Sequence, residues 1–185
     1  ADLGPLPTGG KGTAPKLIVW AVKDPSSGNL DRIQVVKGWT QNGQSFEKVF
    51  DVAWAGDRKP DKWSGRVPAI RSTVDLDKAT YSNDVGAAEL KTVWSDPEFD
   101  ASLHAFYYLR VLEIPTPRWT LIQAVKAGLP PPDVVPLTGQ ERAWTTPIWY
   151  TPSAESGKLA GAGTTVTDLK AKGINALNDA QLKAL

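Results

Sequence analysis

Ala105–Ile114 (AFYYLRVLEI) is apolar on both of its alternating faces. A strand of that kind needs a partner on each edge and cover on both sides, so it predicts a central position in a sheet. The rest of the chain must supply its neighbours. Leu17–Asp24 (LIVWAVKD) is also apolar on both faces and is predicted as a second covered strand. Asp31–Thr40 (DRIQVVKGWT) alternates, with Ile33, Val35 and Trp39 on one face. Gln41–Gln44 contains Asn-Gly, whose tolerance of positive φ makes it a strong hairpin former, and Phe46–Trp54 follows as the partner strand. These three runs, linked by the turn cluster Asp24–Asn29 (DPSSGN), predict an antiparallel meander.

The remaining segments are read in the same way. Residues 56–72 form a polar loop, Val74–Tyr81 a short strand, and Gly86–Trp94 one or two helical turns. Thr116-Pro117 suits a helix start, with Thr as N-cap and Pro at the first helical position. Leu121, Ile122 and Val125 would form its buried stripe, and Gly128 would stop it. Glu141–Tyr150 reads as a final strand, whose Pro147 must sit at an edge or bulge because it has no N–H to give. The expected fold is mainly β: an antiparallel β-sandwich-like domain of five or six strands, with two short helices and a helical C-terminal tail. Residues 1–16 read as a linker, 17–152 as the domain, 153–164 as a flexible linker and 165–185 as the tail. The chain starts at Ala1 without Met, and a helix start at Asn178 and Gln181, with Leu182 and Leu185 as its apolar face, is cut within two turns. Both ends lead us to expect a segment of a larger parent.

Composition removes whole classes of chemistry. There is no Cys, which excludes disulfides, thiolate zinc sites, iron–sulfur clusters and a cysteine nucleophile. A single His cannot build an imidazole cluster. Lys and Arg number 21 against 20 Asp and Glu, a net charge of +1, so the basic footprint of a nucleic-acid binder is missing and no such partner is expected. No apolar run is long enough to span a membrane.

Individual constellations add little. His104 has no G-x-S-x-G elbow to serve. Thr8–Thr13 (TGGKGT) lacks the hydroxyl that a phosphate loop needs after its Lys, and it precedes a strand. The oxygens of Asp24–Asp31 suit a turn better than a calcium loop, since no bidentate Glu closes the spacing. Eight Trp are unusual. Trp20, Trp39 and Trp54 are expected to pack the core, while Trp63, Trp119, Trp144 and Trp149 fall near loops or strand ends. There they could stack on prolines, line a domain boundary or offer a platform for sugars.

The runs 17–39, VFDVAWAGDRKPD (49–61), TVDLDKATYSNDVGAAEL (73–90), VWSDPEFD (93–100), AFYYLRVLEIPTPRW (105–119) and ERAWTTPIWY (141–150) strongly resemble the C-terminal third of DUF3604. This is a domain-of-unknown-function family of large, mostly secreted bacterial proteins. Its members resemble PHP-type (polymerase-and-histidinol-phosphatase) metallohydrolases, whose N-terminal part carries a His-x-His motif and further His and Asp ligands. That motif does not occur in this chain. The resemblance implies an accessory part of a periplasmic or extracellular metal-dependent hydrolase that acts on an ester, often a phosphoester. No cofactor is expected in this chain; a divalent metal is expected in the N-terminal part of the parent, which would be its partner.

On that reading Arg118 and Trp119, a guanidinium beside an indole, are the first candidates for a cleft-facing contact. Arg58, Lys59 and Arg142 are further candidates for anionic substrate groups. Two rivals stay open. One is a free-standing β-sandwich that binds carbohydrate through Trp63, Trp119 and Trp149 on one face. The other is an enzyme that uses carboxylates alone, with one raised pKa. An accessory domain should expose an apolar patch, whereas a free-standing module should not.

Overall fold

A computed structural model describes residues 2–3 and 14–152. Its strands are β1 (Asp2–Leu3), β2 (Lys16–Val22), β3 (Leu30–Gln41), β4 (Gln44–Trp54), β5 (Glu89–Ser95), β6 (Ala105–Pro117), β7 (Thr138–Trp144) and β8 (Ile148–Tyr150), with one helix, α1 (Trp119–Lys126). The predicted 153–164 linker and helical tail lie outside the described residues. Two sheets carry the fold. The larger has six strands in the order β1-β8-β6-β3-β4, with β7 also on β6, and the smaller pairs β2 with β5. All pairings are antiparallel except β1 with β8.

The β3–β4 hairpin forms as its sequence dictates. Asn42 and Gly43 both take positive φ, 52° and 76°, and Gln41 faces Gln44 across the two-residue turn. β6 takes the central place expected of it. One edge pairs with β3 from Ala105 to Glu113; the other is shared by β8 near Ala105–Tyr107 and by β7 from Arg110 onward. The predicted strand 141–150 is thus two strands. The break at residues 145–147 contains Pro147, and it is bridged by Thr145 N–H donating to the Leu109 carbonyl at 3.1 Å.

β2 and β5 cover one face of the large sheet. Leu17, Val19 and Leu90 from the small sheet meet Leu30, Ile33, Val35, Tyr107 and Tyr150 from the large one. Ile33, Val35 and Val36 are fully buried. Each such side chain contributes about 1.5–3 kcal/mol relative to exposure. Leu30 and Ile33 both reach this core although they are three positions apart, an odd spacing that strict alternation would put on opposite faces. Asp31 is the extra residue of a bulge, since Leu30 faces Glu113 and Arg32 already faces Leu112.

Several expectations change. Leu17–Asp24 is not a covered strand, and it pairs with β5 rather than β3, because the DPSSGN turn carries the chain from one sheet to the other. Gly86–Trp94 is not helical: β-branched Thr92 and Val93 pair across to Val19 and Ile18. Val74–Tyr81 holds only an isolated bridge, Asp75 to Thr80. The helix starts at Trp119 with Arg118 as N-cap, because Thr116 and Pro117 still pair with Gly139 and Thr138. Its stop is as read: Gly128 has φ 65°. Within the predicted linker 1–16, Asp2 and Leu3 pair with Trp149 and Tyr150.

Candidate functional site

The five predicted contact residues occupy three places. Arg58 is used internally. Its Nε donates to the Ala55 carbonyl at 3.1 Å, Nη1 to the Pro68 carbonyl at 2.9 Å and Nη2 to the Asp31 carbonyl at 2.9 Å. Nη2 also lies 2.7 Å from Asp31 Oδ1, an ion contact without hydrogen-bond alignment. Arg58 therefore staples the loop after β4 to the start of β3. Lys59 beside it is exposed. Arg142 is exposed on β7, opposite Leu112 of β6. Arg118 and Trp119 are exposed at the start of α1, where the Arg118 N–H donates to the Leu137 carbonyl and its side chain makes no cap. Arg118 is six residues past Leu112 along β6, on the order of 20 Å. Arg142 and Arg118 thus do not converge on one cleft.

The three Trp of the platform reading are exposed but do not share a face. Trp149 faces Phe106 at one end of β6, while Trp119 follows the other end. The intervening strand puts them on the order of 35 Å apart. Trp63 stands in the loop after β4, 96 % exposed, beside an Asp61 carboxylate that accepts the Trp63 and Ser64 N–H groups.

Behind this loop lies a buried polar layer that sequence reading missed. Arg32 Nε meets Asp31 Oδ2 at 3.0 Å, and its Nη1 meets Asp51 Oδ2 at 3.3 Å. Asp51 also accepts from Gln34 Nε2 at 2.6 Å and from the Val67 N–H at 2.7 Å. Arg110 Nε donates to Gln34 Oε1, and Gln140 Nε2 to Asp31 Oδ2. Burial alone would raise the Asp51 pKa. The hydrogen bonds from Gln34 and Val67 and the charges of Arg66 and Arg32 outweigh it, holding the carboxyl below its usual value. A second buried set, Lys37 and Tyr107 on Asp96, sits at the other end of the core. Burial first, then Asp96, pushes the Tyr107 phenol far up. Both sets lock strands and loops together; within them Asp31 Oδ1 has only the ion contact with Arg58. The only sequence clue was polar residues at strand positions flanked by apolar ones.

A third feature faces outward. Alternation along β2 sends Leu17 and Val19 inward and leaves Ile18 61 %, Trp20 67 % and Val22 64 % exposed. Val93, opposite Ile18, adds to the same face at 42 %. Trp20 was expected in the core and stands instead in solvent. Four large apolar side chains on one side of a two-stranded sheet make a contiguous patch, the kind of surface that partners cover.

A family model described as a protein of unknown function (DUF3604) matches residues 3–152, most of the chain. This chain belongs to the DUF3604 family. No curated protein and no solved structure matches it. The matched span of the DUF3604 domain covers all eight strands but the first residue of β1. Among its described residues no group of three or more His, Asp or Glu is placed to hold a metal ion. His104 is exposed at the entry to β6, and its carbonyl accepts from the Thr40 N–H at 3.2 Å. No described helix is long and apolar enough to cross a membrane.

Proposed function

We propose that this DUF3604 domain is the accessory, non-catalytic part of a larger secreted metal-dependent hydrolase. The metal and its ligands would belong to a PHP-like portion upstream, and the protein would work in the periplasm or outside the cell. The observation that carries the proposal is the patch of Ile18, Trp20, Val22 and Val93. In isolation it exposes apolar surface at about 25 cal/mol per Å², a cost that an adjoining domain would remove. The ion-paired buried carboxylates support the non-catalytic role. Asp31, Asp51 and Asp96 are tied to cations or hydrogen-bond donors inside the fold, and Asp51 has a lowered rather than a raised pKa.

The test is the intact mass of the protein from its native source, with peptide sequencing across Ala1 and metal analysis of the same sample. A species much larger than 20.0 kDa, with His-x-His peptides upstream and bound divalent metal, is the expected result. A native species that starts at Ala1 and carries no metal overturns the proposal.

A further inference from the structure

The face of the large sheet turned away from β2 and β5 holds an open cleft of about 430 Å³ at the hairpin end, within the range of small-molecule sites. Register decides which side chains enter it. Trp39 stacks on Phe46 on the core side, so Thr40, Ser45 and Glu47 point the other way. Phe106 and Trp149 are cross-strand neighbours on that outer side, with ring centroids 5.2 Å apart, and His104 and Thr151 follow them by alternation. Gly38 makes the floor possible: a Cβ there would stand 2.3 Å from Phe106 Cζ, so the ring lies directly on the backbone of β3.

The cleft thus has an aromatic floor, Phe106 and Trp149, and a polar rim that includes Glu47, Ser45 and His104. Trp149 is about half exposed, at 53 %, which leaves part of its ring free to stack. Among the described residues that line the cleft there is no Lys or Arg, and Glu47 brings a negative charge, so phosphate and other anions are disfavoured. An aromatic face attracts the weakly positive C–H face of a sugar ring. The carboxylate and hydroxyls of the rim can accept and donate to the ring's hydroxyls. We propose that this cleft is a carbohydrate subsite for a neutral pyranose unit, with Trp149 and Phe106 as its platform and Glu47 as its principal acceptor. It differs from a platform of Trp63, Trp119 and Trp149, and it does not depend on the accessory role proposed above.

The experiment titrates the full 185-residue chain with cellohexaose, mannohexaose, chitohexaose and anionic hexagalacturonate, read by saturation-transfer NMR and calorimetry. Trp149→Ala and Glu47→Gln are run beside it, each checked for native far-UV circular dichroism. Glu47 is exposed, which keeps the second variant informative if the first is misfolded. Saturable binding of a neutral hexasaccharide, weakened about tenfold or more in either folded variant, is the expected result. The proposal is overturned if no neutral sugar binds, if both variants bind like the parent chain, or if hexagalacturonate binds more tightly than the neutral sugars.

Discussion

Asp51 shows how one side chain can hold three parts of a fold. Its carboxylate reaches β3 through Gln34 and Arg32, and the loop after β4 through Arg66 and the Val67 N–H. Removing the charge leaves Arg32 buried beside a single remaining carboxylate, Asp31. We predict that Asp51→Asn lowers stability by about 3–5 kcal/mol in urea unfolding, the usual cost of breaking a buried pair from one side. The lowered pKa fixes the sign of the pH dependence. The Asp51 contribution is complete above the unfolded value of 3.8 and is lost as pH falls through the lower folded value. Urea midpoints at pH 6 and pH 3 should therefore fall further in the native chain than in Asp51→Asn; equal falls would remove Asp51 as a source of acid sensitivity. Gly38 sets a second limit at this scale. Gly38→Ala must displace the Phe106 ring, and a loss of about 1–3 kcal/mol is expected in the same assay. No loss would mean that the ring moves freely.

At the scale of elements, the small sheet is where sequence and structure part most clearly. Hairpin β3–β4, central β6 and the Gly128 helix stop were legible, because turn chemistry and two-faced apolarity are local properties. β2 has the same two-faced pattern as β6, yet only one of its faces is covered by the described chain. Two-faced apolarity in sequence therefore does not by itself tell a covered strand from one with an exposed apolar face. β5 was misread because GAAEL carries helical propensity, whereas pairing with β2 from Glu89 to Ser95 decides its form. The candidate site was less legible still. Arg58 looked available in sequence, and only the fold shows its donors already engaged; the cleft needs four strands in register before it exists. The β2 patch yields its own prediction. Ile18→Thr with Trp20→Thr should change unfolding free energy by less than about 0.5 kcal/mol, as surface substitutions do, while reducing self-association in analytical ultracentrifugation. A large loss of stability would mean that these side chains support the domain itself.

For the whole molecule, most contacts that matter join distant parts of the chain. Arg110 and Gln140 reach back to Gln34 and Asp31, and the Tyr150 hydroxyl donates to the Ala101 carbonyl at 2.9 Å. Folding speed should follow that topology, and mixing experiments should place it among slow, non-local β folds rather than microsecond folders. The parallel pair of β1 with β8 carries this furthest. β8 rests on β6 through three residue pairs, and among the described strands β1 has no other neighbour. During synthesis at about 5–20 residues per second, Asp2 and Leu3 leave the ribosome on the order of ten seconds before β8, their strand partner. The earliest strand in the chain is thus among the last to be seated. Until β1 docks, the outer edge of β8 stands open, a window in which a chaperone, or a neighbouring nascent chain, competes for the place that β1 will take.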